Sequence, residues 1–331
     1  MNGIIVVDKP SGKTSHDVVN IIRRKASQKR VGHTGTLDPM ATGVLVLMLG
    51  KATRLSRFLD LEPKVYIAEA LFGITTDTQD ITGNIIGEQT GPISPASQTN
   101  PVSIISEDDI KRVLPNFTGD IEQIPPMVSA IKIGGQTLYK LARKGVEIER
   151  PSRQITIHEL DLLDYKPSGR FCLKDDSTVQ GTVIKLRVKC SGGTYVRTLV
   201  HDIGQQLEVG ATLASLRRTS VGRFSLESAV ALDSLTDTRS IQDNLISMND
   251  ALYNLPIWIV KDDAIELLLN GRELNSNSFL ADQANGEIIE DMPVRLTTRG
   301  GALLAIGRIK ESSGSEESRF GIKIKPDVVL K

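Results

Sequence analysis

Gly32-His33-Thr34-Gly35-Thr36-Leu37-Asp38-Pro39-Met40-Ala41-Thr42-Gly43, residues 32–43, is the stretch on which the reading of this chain turns. Gly32 and Gly35 bracket His33-Thr34, so the backbone can bend tightly and a ligand can approach it closely. Pro39 fixes its own φ and holds Asp38 in extended geometry. An apolar run, Val44 to Leu49, follows directly and reads as a strand that would hold the loop at its edge. On its own, an Asp-Pro in a glycine-rich loop is more often a turn former than a catalyst.

Outward from the loop, residues 3–7 read as a short buried strand closed by Lys9-Pro10-Ser11-Gly12. Ser15 is expected to cap a helix through Lys25, with Val18, Ile21 and Ile22 at helical spacing. Downstream, Ala52 to Leu59 is predicted helical, Val65 to Phe72 a strand, and Ile110 to Leu114 a short helix. Residues 125–153 mix Pro125-Pro126, Gly134-Gly135 and basic residues, as in a protruding element rather than a core layer. In Val183 to Cys190, Ile184, Leu186, Val188 and Cys190 alternate with Val183, Lys185, Arg187 and Lys189. That period of two predicts a half-buried strand. It runs into Ser191-Gly192-Gly193 and a helix ending near Gly210. A composition change near Leu255-Pro256 opens an acidic, β-rich tail. Helices and strands mix without a regular βαβ rhythm, which predicts an α+β fold.

The 331 residues are 40% hydrophobic and 4% aromatic, enough for one large domain and a small one. No apolar run is long enough to span a membrane, and the N-terminal one is too short for a signal peptide. A cytoplasmic protein is therefore expected. Cys172 and Cys190 show no metal-type spacing, and His16, His33, His158 and His201 are scattered. Net charge is zero, yet unevenly spread. Lys and Arg outnumber Asp and Glu by ten to four in residues 1–60, six to two in 125–155 and seven to two in 185–223. Such blocks could converge on a phosphate backbone or be separate solvated faces, and charge alone leaves the two readings even.

The 32–43 segment, Gly-His-Thr-Gly-x-Leu-Asp-Pro-x-Ala-Thr-Gly, resembles the signature of the TruB-type tRNA pseudouridine synthases. The resemblance continues, in order, through Asp8-Lys9-Pro10, Lys64-Val65-Tyr66, Gly73 to Asp80, Gly119 to Pro126, Gly193 to Thr198 and Leu216-Arg217-Arg218. It covers residues 3–224. It implies a pseudouridine-synthase fold: a mixed, mostly antiparallel sheet flanked by helices over 1–254, with a small PUA-like β-rich domain over 255–331.

The resemblance also implies a reaction. Uridine in the T arm of tRNA, at position 55, is flipped out and isomerised to pseudouridine, with no cofactor and no metal. Asp38 then falls at the catalytic aspartate. Arg197 is implied as the partner that keeps it charged, and Asp80 as the residue that orients Arg197. Tyr66 is implied to stack on the base, Tyr195 and Leu216 to wall its pocket, and His33 to contact the displaced T loop. Residues 125–153 match an insertion that closes over RNA, with Lys132, Lys140, Arg143, Lys144, Arg150 and Arg153 toward phosphates. A monomer is expected. Residues 89–106 and 164–182 are longer than in many members and are expected to be surface loops.

Two other classes compete. A non-catalytic RNA-binding protein on the same scaffold would need the basic blocks but not Asp38, Tyr66 and Arg197 together. A glycosidase-like hydrolase would pair Asp38 with a second carboxylate, whereas the implied partner is an arginine.

Overall fold

The computed structural model describes residues 1–86, 105–129, 131–142, 144–172, 178–280, 289–310 and 322–331. Most of the 89–106 stretch and Arg143 lie outside the described residues. The strands of the first part are β1 (Gly3–Lys9), β2 (Val31–His33), β3 (Thr42–Leu49), β4 (Lys64–Phe72), β5 (Gly119–Gln123), β6 (Lys132–Ile133), β7 (Gln136–Thr137), β8 (Arg153–Cys172), β9 (Thr178–Cys190) and β10 (Ala211–Val221). Then come β11 (Phe224–Ser225), β12 (Val230–Ala231), β13 (Ile257–Ile259), β14 (Leu274–Asn275), β15 (Pro293–Thr297), β16 (Leu303–Lys310) and β17 (Lys323–Val329). The helices used below are α1 (Ser15–Lys25), α2 (Glu107–Val113), α3 (Leu138–Ala142) and α4 (Val196–Gln206).

A ten-stranded sheet runs β12-β1-β3-β10-β4-β9-β8-β5, with β2 on β3 and β11 on β10. Its pairs are antiparallel except β1 with β12 and β3 with β10. The mixed, mostly antiparallel α+β architecture is thus as expected. A second, five-stranded sheet, β13-β15-β16-β17-β14, occupies the C-terminal part.

β1 and β3 are apolar on both faces, and the packing shows why. Ile5, Val7, Leu45 and Leu47 join the core under α1, whose Val18, Val19 and Ile22 face them. Ile4, Val6, Val44 and Val46 point the other way, into a second core shared with Leu303, Ile306, Val328 and Leu330 of the C-terminal sheet. A strand buried on both sides reads as a continuous hydrophobic run. β9 shows the alternation its sequence predicts. Ile184, Leu186, Val188 and Cys190 are fully buried, while Lys185, Arg187 and Lys189 pair with Glu69, Glu159 and Asp161 on neighbouring strands.

Four local expectations need correcting. Thr14, not Ser15, caps α1: its hydroxyl accepts from Asp17 N at 3.0 Å, and Asp17 accepts in return from Thr14 N at 2.9 Å. Residues 52–59 form two short 3₁₀ turns, Gly50–Arg54 and Ser56–Phe58, in place of one helix. The helix expected over Ile110–Leu114 begins earlier, at Glu107, behind a Ser106 cap. Most of 164–182 is not a loop: residues through Cys172 and from Thr178 extend the β8–β9 hairpin. The many exposed polar residues of its β8 half hide the strand period, although Val179 and Val183 of the β9 half are buried with Leu71 and Ile74.

Candidate active site

The Asp38 loop is tied down at several points before any catalytic side chain is considered. Ser15, released from capping, accepts from Leu37 N at 2.8 Å and donates to Leu37 O at 3.2 Å. Gly12 N donates to Pro39 O at 2.9 Å, and Ala41 N to Asp38 O at 3.1 Å. Gly43 sits at φ +102°, where a Cβ would stand 2.1 Å from the Arg218 carbonyl oxygen, so glycine is required there. The signature glycine is therefore a packing requirement of the β3–β10 crossing, one step from the loop.

Lys9 and Arg218 grip the same loop from below, and neither was assigned a role from sequence. Lys9 is fully buried at the end of β1. Its Nζ donates to Lys13 O at 2.6 Å, Pro10 O at 3.0 Å and Pro39 O at 3.2 Å. Burial pulls this lysine down to about 8, with the Asp38 charge pulling the other way. Arg218 donates from Nε to Val44 O at 2.8 Å and from Nη2 to Gly35 O at 3.3 Å. One signal was available for Lys9: the alternation of β1 puts it on the same face as Ile5 and Val7.

Above these anchors stands Arg197, in the first turn of α4 and 2% exposed. Its Nε lies 2.9 Å from Asp38 Oδ2, and its Nη2 donates to Asp38 Oδ1 at 3.2 Å. Nη2 also donates to Val128 O at 2.9 Å. On the far side, Nη1 donates to Thr78 O at 2.8 Å and to Asp80 Oδ2 at 3.4 Å. Asp80 is in turn fixed through Oδ1 by Thr78 Oγ1 at 2.9 Å, Thr82 N at 3.0 Å and Thr82 Oγ1 at 2.5 Å. The order Asp38–Arg197–Asp80 is the one the resemblance implied.

Asp38 keeps a third of its side chain open, because it faces a cavity. Burial at the cavity floor pushes its carboxyl above the usual range; Arg197 opposes that push and Asp80 adds to it. Arg197 thus opposes the effect of burial on Asp38.

The cavity has a volume of about 280 Å³, and its walls include Asp38, Tyr66, Tyr195, Arg197, Leu216 and Arg218. Tyr66 is 7% exposed, and burial pushes its phenol above the ordinary value. Tyr195 is held by Gln123, which accepts from its N at 2.8 Å and donates to its O at 3.1 Å. Gln123 is another residue that sequence reasoning passed over.

His33 does not line this cavity. It lines a larger adjoining groove of about 960 Å³ that shares Thr36, Leu37, Asp38 and Ser129 with it. Burial lowers the His33 pKa, which favours the neutral ring. The groove's opposite wall is the 125–153 element, through Met127, Val128, Tyr139 and Val146. That element is a β6–β7 hairpin followed by α3. Its Lys132, Lys140, Lys144 and Arg153 are exposed. Arg150 is committed elsewhere: it donates to Pro125 O at 3.1 Å, closing the base of the element. Among the described residues, no group of His, Cys, Asp or Glu could hold a metal ion.

Comparison with known proteins decides the family. Residues 23–196 match the family described as TruB family pseudouridylate synthase (N terminal domain). Residues 197–254 match the tRNA pseudouridylate synthase B C-terminal domain. The chain belongs to the TruB family of pseudouridylate synthases. Among TruB-family relatives, it is 38% identical over 311 residues to the tRNA pseudouridine synthase B of Clostridium kluyveri, covering 94% of this chain and 96% of that one. It is 42% identical to the tRNA pseudouridine synthase B of Symbiobacterium thermophilum, covering 82% of each. A chain in the structure of an H/ACA RNP bound to a substrate RNA containing 2'-deoxyuridine superposes with a TM-score of 0.67 at 25% identity, over 99% of this chain and 85% of that one. A chain of a Cbf5-Nop10-Gar1 complex gives 0.65 at 27%, over 99% and 84%. The pseudouridine-synthase fold with a PUA-like β-rich C-terminal part is as the TruB-type resemblance led us to expect. Among the described residues, no helix is long and apolar enough to cross a membrane.

Proposed function

We propose that this protein isomerises uridine to pseudouridine in the T loop of tRNA, at position 55, with Asp38 as the catalytic carboxylate. One observation carries the reading: the Asp38 carboxylate, gripped by buried Arg197, lies where a base-sized cavity opens into a long groove. A base in a structured loop must leave its stack to reach such a carboxylate. The groove between the Asp38 loop and the 125–153 element would take the T loop, with His33 against the vacated region. Lys132, Lys140, Lys144 and Arg153 supply cations for phosphates on the same element.

In the cavity, Tyr66 covers one face of the base, while Tyr195 and Leu216 limit how it turns. Asp38 attacks C1′ or C6, or takes the C2′ proton; each role needs an ionised carboxylate, which Arg197 favours. The chain's own side chains supply every group these routes need, so no cofactor is invoked. Residues 1–254 form the catalytic domain and 255–331 an RNA-contacting domain, in a cytoplasmic monomer.

The hydrolase alternative is disfavoured by Asp80. Its carboxylate is saturated by Thr78, Thr82 and Arg197, and is not available to activate water across the sugar. The deciding experiment maps pseudouridine in an unmodified tRNA transcript treated with the protein. Pseudouridine at position 55 is expected; none, or modification only outside the T loop, would overturn the reading.

A further inference from the structure

Three arginines are buried among the described residues: Arg197, Arg218 and Arg295. Two of them are held in wider networks. Arg197 contacts Asp38, Asp80, Thr78 O and Val128 O. Arg295 donates to Leu255 O at 2.8 Å, Asn249 O at 2.9 Å, Asn249 Oδ1 at 3.1 Å and Tyr253 O at 3.3 Å. Arg218 differs. Like Arg295 it pairs with no carboxylate among the described residues, its Nε and Nη2 bonding the carbonyls of Val44 and Gly35, but unlike Arg295 it lines the Asp38 cavity. A buried cation without a counter-charge is costly.

Its placement is specific. Arg218 is the register partner of Tyr66 on the neighbouring strand, so both side chains project from the same face. Both line the 280 Å³ cavity with Asp38. Nη1 stands beside the Gly35 backbone, 3.5 Å from where a Cβ on Gly35 would be. The two carbonyl bonds thus fix the guanidinium in the cavity wall beside the Tyr66 phenol. The charge of Arg218 and its hydrogen bonding with Tyr66 both oppose the effect of burial on that phenol, as their proximity requires.

We propose that Arg218 is a further catalytic residue: its guanidinium donates to a carbonyl oxygen of the flipped uracil and offsets the negative charge that the base gains in the reaction. The inference rests on the function proposed above. When the C1′–N1 bond breaks, its electron pair stays with uracil and spreads over N1, O2 and O4. C1′ is left electron-poor, and either bonds the Asp38 carboxylate or is relieved by loss of the C2′ proton to it. After the base turns, C5 bonds C1′, and Asp38 either leaves C1′ or returns its proton to C2′; the C5 proton then goes to solvent while N1 takes one from solvent. Attack of Asp38 at C6 would instead place the charge on O4. Every route therefore puts transient negative charge on the carbonyl edge of the base, where a preorganised donor is most effective.

The test compares Arg218→Gln with the parent protein in single-turnover reactions on a T-arm stem–loop carrying uridine or 5-fluorouridine at the target position. Fluorine at C5 stabilises the negative charge on the base, so a residue that acts on that charge matters less with it. Glutamine should slow the uridine reaction on the order of 100-fold without weakening RNA binding. The loss should be clearly smaller with 5-fluorouridine. No loss, or an equal loss with both RNAs, would overturn the proposal, the second result meaning that Arg218 only holds the loop. If the glutamine variant does not fold, Arg218→Lys decides, since it keeps the charge but cannot make both carbonyl bonds. A smaller loss on 5-fluorouridine than on uridine supports the proposal for that variant too, and an equal loss overturns it. The parent's own turnover is the control: if it makes no pseudouridine, the proposed function fails first, independently of Arg218.

Discussion

Replacing Arg197 by methionine removes the one cation shared by Asp38 and Asp80, and the structure says how the cost divides. The Asp38 side chain is 32% exposed, so water can take over much of its solvation and its share of the stability loss is small. Asp80 is 7% exposed and retains Thr78 and Thr82 on Oδ1, but Oδ2 is left without its partner. The carbonyls of Thr78 and Val128 also lose charge-assisted donors at 2.8 and 2.9 Å. Truncating one member of such a buried pair costs about 3–5 kcal/mol, or roughly 4–7 °C in melting temperature for a chain of this size. The pH dependence should shift as well. Arg197 opposes the burial that raises the Asp38 pKa. Without it the carboxylate forms only at still higher pH, and the acid limb of activity moves upward. Thermal melts and a pH profile of tritium release from 5-tritiated uridine measure both effects. A variant that melts with the parent and keeps its acid limb would refute the reasoning.

The remaining predictions concern other parts of the molecule. Asp38→Asn should melt higher than the parent at neutral pH. The raised folded-state pKa means that ionising Asp38 costs stability, a cost that disappears as pH falls toward the ordinary value of 3.8. Melts across that range check it, and a lower melting temperature at neutral pH would contradict it. Arg295→Met strips four bonds from the 249–255 segment that leads into the C-terminal sheet. Limited proteolysis should then cut near that segment faster than in the parent, with about 3 kcal/mol lost in denaturant melts. Replacing Lys132, Lys140 and Lys144 together by alanine should leave the fold intact and weaken RNA binding. The slope of log K against log salt should become shallower by roughly 2 units, at about 0.7–0.9 for each phosphate no longer neutralised. An unchanged slope would remove the 125–153 element from the RNA surface.

Much of the fold was legible because its signals are local. The period of two in Val183 to Cys190 and the apolar runs of β1 and β3 are written in consecutive residues. The Asp38–Arg197–Asp80 chain came only from the resemblance, since 159 and 117 positions separate Arg197 from its two acids. No spacing rule reaches that far. Lys9, Gln123 and Arg218 were missed for a related reason: their partners are main-chain carbonyls and amides, which any sequence would supply. Residues 164–182 misled in the opposite direction, because the largely exposed β8 half of the extension has a loop's composition. The shared core between β1, β3 and the C-terminal sheet was likewise invisible, although the double-faced hydrophobicity of β3 signals that something must cover its second face.

The most direct test of the account is tritium release from a tRNA transcript carrying 5-tritiated uridine, measured with purified Asp38→Asn protein alongside the parent. The variant is expected to bind the transcript as the parent does and to release no tritium, because asparagine keeps the shape and the fold but can neither attack nor take a proton. Release at the parent's rate would contradict the assignment of Asp38, and with it the catalytic centre described above.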